Sequence, residues 1–336
     1  MKLRHIIIAA AIAFSGYSAN AQAPSVQAEI GPIADILLVL EANCKNGNMS
    51  ACNDAGTFYG AGRGVKKSTY KAQELYTKSC FGGEGGGCRN LGLMYTNKKE
   101  IGEKPEQARG FMKKGCELRD QESCANFATF LRAGYGGDAD LPKSRALSEQ
   151  ACAANIAYAC DNFGILALNG QSGDKDESGA FAAFDKGCSA SFPQSCNNLA
   201  VMYAKGITVP KDVGKSIDLM SRSCKLNYAN GCKNYVIFSA EEGRKINAKG
   251  FSANQLRVIG EETAAQGRGP QSVTLFQTAC DRGSGRSCYF VGLAQLNGLH
   301  GVKKSRAKAS ASFEKGCNKE DNLACLNFIQ MRDGKL

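Results

Sequence analysis

The chain has 336 residues, a formal net charge of +11, no tryptophan, two histidines and 16 cysteines. Its lysines and arginines are scattered rather than gathered into a stripe interleaved with aromatics, which argues against nucleic acid as a partner. No apolar run is long enough for a stable helical membrane span.

The opening, MKLRHIIIAAAIAFSGYSANAQA, joins a basic start (Lys2, Arg4) to an apolar run from Ile6 to Phe14 and small residues at Ala19 and Ala21. This is the pattern of a secretory signal over residues 1–21, with cleavage after Ala21. Loss of Lys2 and Arg4 lowers the formal charge of +11 to about +9 for the mature chain. The expected location is therefore outside the cytoplasm, in the periplasm or secreted. Disulfides persist in such compartments, and an even cysteine count fits a full set of them.

The cysteines are periodic. First members fall at Cys44, Cys80, Cys116, Cys152, Cys188, Cys224, Cys280 and Cys317. Their partners, each eight residues on, are Cys52, Cys88, Cys124, Cys160, Cys196, Cys232, Cys288 and Cys325. Through Cys224 the period is 36 residues, which marks a stacked helical repeat array. Cysteines of different repeats would stand about a helix diameter, ~10 Å, apart, too far for an unstrained bridge. Pairing within each eight-residue step is expected. The spacing does not suit structural zinc, which favours cysteines two to four residues apart, so neither metal nor cofactor is expected.

In chain order, residues 22–43 read as a short leader followed by a capping helix over 33–43, which covers the first open face of the array. The array itself runs from 44 to 332. Each unit reads as helix A, starting near the second cysteine, then a loop, then helix B ending at the next first cysteine. Four residues into helix A stands a small residue (Gly56, Gly92, Ala128, Gly164, Ala200, Gly292), with Val236 as the exception. The recurrence suggests that a neighbouring helix passes close by. Helix A should stop at Gly62, Gly134, Gly170, Gly206 and Gly298, where glycine supplies a left-handed turn. Eight residues before each first cysteine after Cys44 stands alanine or serine, and large apolar residues often follow at the fifth and fourth positions before it, as in Leu75–Tyr76 and Leu219–Met220. From Cys224 to Cys280 there are 56 residues, 20 beyond the period. The surplus lies at 241–270, where Ser252 and Gln255 form a capping-box pattern that predicts an extra helix over 253–266. Residues 326–332 form the last helix A.

The units CRNLGLMY (88–95) and CNNLAVMYAKGITVPKD (196–212), each leading to a helix that ends in K-x-C or a variant of it, resemble Sel1-like repeats. The cysteine spacing also resembles the secreted Helicobacter cysteine-rich proteins, a disulfide-bridged subfamily. The resemblance covers nearly all of residues 31–332 and is weakest at 241–270. It implies an all-α fold, a right-handed αα-superhelix (solenoid) of helix hairpins related to tetratricopeptide repeats. It also implies an adaptor role, and for some of the cysteine-rich subfamily penicillin binding or weak β-lactamase activity.

Two functions follow as expectations. The first is a monomeric scaffold that binds proteins or peptides, including cell-envelope components, on its concave face. Two residues past the second cysteine stand Asn90, Asn126, Asn162, Asn198, Asn234 and Asn327, with Asp54 and Phe290 breaking the series. An amide donates and accepts, so this row could pair with a peptide backbone. It could equally bond local backbone at a helix start. The second is a weak β-lactam hydrolase. Serine acyl transfer needs a nucleophile beside a base, and S-x-x-K occurs at Ser68/Lys71, Ser305/Lys308 and Ser312/Lys315. The companion S-D-N and K-T-G motifs are missing from the sequence. Ser68 and Ser305 also coincide with the start of helix B, and no catalytic residue is assigned.

Overall fold

A computed structural model describes residues 31–97 and 102–336, with side chains from Asp35 onward. The expected signal and leader lie outside the described residues. Among those described there are 17 helices. Helix α1 (Gly31–Lys45) opens the array. Five hairpins of a helix A and a helix B follow: α2–α3 (Met49–Ala61, Thr69–Phe81), α4–α5 (Gly85–Met94, Pro105–Glu117), α6–α7 (Gln121–Ala133, Leu141–Ala153), α8–α9 (Ala157–Leu168, Glu177–Ser189) and α10–α11 (Pro193–Lys205, Val213–Lys225). Then come α12 (Ala229–Glu241), α13 (Ala253–Ala265), α14 (Gly269–Asp281), α15 (Gly285–Asn297), α16 (Arg306–Cys317) and α17 (Asn322–Arg332). Each helix packs on its neighbours in sequence, which makes the chain a solenoid.

Helix A starts a turn earlier than its cysteine suggests. Its N-cap stands four residues before the second cysteine, as at Asn48, Asp120 and Asp321, whose side chains accept from the third helical N–H. The cysteine is thereby already inside the helix, and the asparagine two residues later lies in the second turn, away from the cap. Helix A ends on Gly62, Gly134, Gly206 and Gly298 in the left-handed conformation, φ 65 to 70°. Helix B is capped by Ser68, Asp140, Asp176, Asp212 or Ser305, each accepting from the backbone N–H three residues on.

All eight expected disulfides are formed, with Cα atoms 4.3–4.7 Å apart. So close a crossing leaves no room beside the bridge. At five of the bridges the residue before the first cysteine meets the residue before its partner, and the pairs are small: Ser79 with Gly87, Gly115 with Ser123, Gly187 with Ser195, Ser223 with Gly231, Gly316 with Ala324. A Cβ on any of these glycines would overlap the facing side chain. A second close approach joins A to B within a hairpin. A Cβ on Gly164 would stand 2.6 Å from the Phe184 ring, and one on Gly56 2.7 Å from Tyr76. The K-x-C motif has a role between units. Lys78 reaches Cys44 O (3.0 Å) and Lys186 reaches Ala153 O (3.3 Å), each in the last turn of the preceding helix B. An ammonium is favoured at that carbonyl-rich, negative helix end.

The 20-residue surplus is neither a loop nor a simple extra helix. The expected capping box is formed, Ser252 and Gln255 bonding each other's backbone, and α13 spans Ala253–Ala265. A Cβ on Gly260 of α13 would stand 2.7 Å from the Phe276 ring of α14, as one on Gly164 would overlap Phe184, so α13 acts as helix A to the helix B that ends at Cys280. The hairpin closes by the short turn used elsewhere between B and the next A. Arg268 N–H bonds Thr263 O (3.1 Å) as Glu84 N–H bonds Ser79 O (3.0 Å), with Ala264 and Ser272 where a cystine would stand. Helix α12 is thus a helix A without its helix B. The non-helical strap 242–252 follows it instead. Ile246 and Phe251 of the strap are buried with Ile217, Tyr235, Val236 and Leu256 and fill part of the missing helix's place.

Replacing Gly164 by alanine should destabilise the array by about 1–3 kcal/mol, because overpacking against Phe184 outweighs the gain of up to ~1 kcal/mol in helix propensity. Urea titration of the oxidised protein measures it, and an unchanged midpoint would refute the close approach. At the N-terminal cap, Lys71 Nζ and Tyr59 Oη both bond Glu41 Oε1, at 2.9 and 2.7 Å. The bond from Lys71, then that from Tyr59, holds the Glu41 carboxyl below its ordinary value of 4.5. A depressed carboxylate stabilises the fold above its ordinary value and loses that contribution as pH falls through the lowered one. Protection of the α1 amides, taken relative to their intrinsic exchange rate at each pH, should fall on acidification below about pH 4.5, and Glu41→Gln should remove that dependence.

Candidate functional site

The asparagine row lies on the helix-A layer, and its members differ in what they do. Asn90 Nδ2 donates to Asn53 Oδ1 (2.8 Å), Asn198 Nδ2 to Asp161 Oδ1 (2.9 Å) and Asn234 Nδ2 to Asn197 Oδ1 (2.8 Å). Each bond crosses from one unit to the residue just after the second cysteine of the unit before. Where that residue cannot accept, the amide turns elsewhere. Asn126 would face Arg89, and donates instead to Glu122 O of its own helix (2.9 Å). Asn162 would face Ala125, and turns to Ser144 and Ser148 of α7, the helix B of the preceding hairpin. Asn327 likewise bonds its own helix at Leu323 O (2.9 Å). Asn162 is buried, 3% exposed, while Asn90, Asn126, Asn198 and Asn234 are half-buried.

The acceptor position was legible in the sequence, as Asn53, Asp161 and Asn197 follow Cys52, Cys160 and Cys196 directly, but only the stacking brings it opposite the amide 37 residues on. Asp161 is its charged member. It is 8% exposed. Burial pushes its carboxyl above the ordinary value of 3.8, against the bonds from Ser195 Oγ (3.1 Å) and Asn198.

None of the three S-x-x-K pairs has its serine hydroxyl hydrogen-bonded to its lysine ammonium. Ser68 Oγ accepts from Lys71 N–H at 3.2 Å and Ser305 Oγ from Lys308 N–H at 3.3 Å, both as helix caps. The Lys71 ammonium is bonded to Glu41 and Tyr59. Ser312 Oγ donates to Gln295 (2.8 Å) while Lys315 pairs with Asp281 (2.7 Å). No group of three or more His, Cys, Asp or Glu side chains among the described residues could hold a metal. No helix among them is long and apolar enough to cross a membrane.

The Sel1 repeat model matches residues 50–80, 86–120, 122–156, 193–228 and 285–319, together about half of the chain. The chain belongs to the Sel1 repeat family. The matches skip α8–α9, a regular hairpin in space, and α12–α14, where helix B is missing. Among solved structures, the chain is similar to a protective antigen present in uropathogenic Escherichia coli strains displaying an SLR fold. That likeness has a TM-score of 0.58 at 20% identity and covers 89% of this chain and 67% of the other. A Sel1 repeat protein from Oxalobacter formigenes superposes with a TM-score of 0.57 at 21% identity over 63% of this chain and 85% of that one. At these identities the likeness extends to the fold alone. No curated protein matches the chain.

The ladder makes a graded prediction. Asn90→Ala, Asn198→Ala and Asn234→Ala each remove an inter-unit bond and should cost about 1 kcal/mol, whereas Asn126→Ala, which breaks only an exposed bond within its own helix, should cost clearly less. Equal losses in urea titrations would deny the ladder. For Asp161, a carboxyl raised by burial favours folding below its ordinary value and loses that contribution as pH rises through the folded value. Asp161→Asn, which copies Asn53 and Asn197, should therefore keep or raise stability at neutral pH and flatten the profile on its acid side.

Proposed function

We propose that this Sel1 repeat protein is an exported scaffold that binds a protein or peptide along its helix-A face, in the periplasm or beyond the cell. The observation that carries the reading is the half-used amide ladder. Asn90, Asn198 and Asn234 each commit one N–H to the neighbouring unit, which fixes the amide's direction and leaves an oxygen and a second N–H for a ligand. Asn126 adds a fourth amide of the same exposure class. Asn162, buried against α7 of the preceding hairpin, is no part of the surface. A row of pre-oriented amides at the repeat spacing suits an extended backbone, because little side-chain entropy is lost on binding. Sel1 repeats generally mediate protein interactions, which favours a macromolecular partner over small-molecule chemistry. The export reading rests on the signal pattern over 1–21 and on eight disulfides, a set that oxidising compartments maintain.

Two measurements test it. Expressed in a Gram-negative host, the chain should mature with Gln22 at its N-terminus by intact mass; retention of residues 1–21 in the cytoplasm would refute export. A displayed random-peptide library panned on the oxidised protein should yield a consensus that loses roughly tenfold or more in affinity, about 1.4 kcal/mol, when Asn90 and Asn198 are both alanine. A consensus indifferent to that double variant would move the interaction off this face.

A further inference from the structure

The strap 242–252 leaves a groove where α12 lacks its helix B. Its volume is about 460 Å³, within the usual range for ligand pockets, about 300–1,000 Å³. One wall is α11, the floor is α12 and the other wall is the strap. The strap is held at both ends. Arg268 Nη2 donates to Arg244 O (2.8 Å), Arg282 bonds Ala248 O and Phe251 O, and Gln255 Nε2 reaches Cys224 O (3.1 Å) and Lys225 O (2.9 Å). The groove is thus part of the fold and does not depend on a loop closing over it.

The lining combines three kinds of group. Tyr235 and Phe251, rings 5.7 Å apart, give an apolar base. Lys225, Arg244, Lys245 and Lys249 surround it, all exposed. None of the four has a carboxylate within 4.0 Å among the described residues. Lys225 Nζ instead lies 5.1 Å from the centre of the Phe251 ring. Elsewhere in the array some exposed lysines find carboxylates, as Lys315 finds Asp281 and Lys175 finds Glu177, and others stand singly; here four unpaired cations converge on one groove. The third kind is acceptors: Asp218, Ser221 and Ser239 line the same groove, and no hydrogen bond engages their side chains among the described residues.

We propose that this groove binds an acidic peptide segment, with glutamate or aspartate carboxylates on the four cations and an aromatic or aliphatic side chain over Tyr235 and Phe251. The unpaired acceptors decide the class. A phosphate or polyphosphate carries acceptors only and would face the Asp218 carboxylate across the groove. A peptide brings anionic side chains for the cations and backbone N–H groups for Asp218, Ser221 and Ser239. The groove shares no lining residue with the amide row, so this inference stands or falls apart from the reading of the helix-A face.

The test uses the oxidised mature chain and a fluorescein-labelled probe, Glu-Asp-Phe-Glu-Gly, followed by anisotropy. A Gln-Asn-Phe-Gln-Gly analogue and tripolyphosphate serve as comparisons. The acidic peptide should bind, more weakly as salt rises, and the neutral analogue should not. Lys245→Ala with Lys249→Ala should weaken it roughly fivefold or more, the worth of two exposed ion pairs. Both lysines are exposed, so thermal unfolding of the double variant should match the parent, and Asn90→Ala with Asn198→Ala should leave the peptide's affinity unchanged. Equal binding of the neutral analogue, indifference to the lysine variant, or preference for tripolyphosphate over the peptide would each overturn the proposal.

Discussion

The array depends on how closely two helices cross where one unit meets the next. A disulfide between residues eight apart brings two Cα atoms to 4.3–4.7 Å. Glycine, alanine or serine stands just before every cysteine but Cys44, which follows Asn43, and large residues are pushed to the far side of each helix. There Phe184, Tyr76 and Phe313 lie over glycines of the partner helix A. The bridge constrains the unfolded chain, by roughly 2–3 kcal/mol per loop of this size in a disputed entropic account. The small pairs beside it let the folded chain accept that constraint without strain. Covalent link, small pair and ring over glycine form one device at α2–α3, α8–α9 and α15–α16.

The inter-unit contacts follow from that spacing. With neighbours held at a fixed offset, Lys78 and Lys186 reach the carbonyl end of the previous helix B. The asparagine in the second turn of helix A comes beside the residue following the earlier cystine. Whether a bond forms depends on what that neighbour offers. Asn53, Asp161 and Asn197 accept, while Arg89 and Ala125 do not. The ladder is therefore interrupted at Asn126 and Asn162. Arg89, where it interrupts, pairs instead with Asp120 (2.9 Å) and Glu122 (2.7 Å) of the following unit.

One unit departs from the device, and its departure is built with the same parts. Between Cys232 and Cys288 the chain carries two helices of type A and only one of type B. The strap between them covers the apolar base with Ile246 and Phe251 while exposing cations that a helix B would have placed differently. A regular array offers the same face at each step. An irregular unit gives the molecule one place unlike the others, and four unpaired cations converge on it.

The sequence by itself determined the period, the eight bridges, the ends of most helices and the capping box at Ser252, because each is set by residues within about one unit of one another. The cysteine step of eight, the glycine at the end of helix A and the K-x-C ending are all local signals, readable without coordinates. The start of helix A was misplaced by a turn, since the cysteine is conspicuous and the true cap, a variable residue four positions earlier, is not. Only the tertiary structure decided which asparagines join units and which turn inward, since that depends on a side chain 37 residues away. It alone revealed that the 20 surplus residues turn α13 into a second helix A and leave a groove beside α12. Length and capping announce a helix; what that helix packs against, and what is missing beside it, is settled by the neighbours it meets in space.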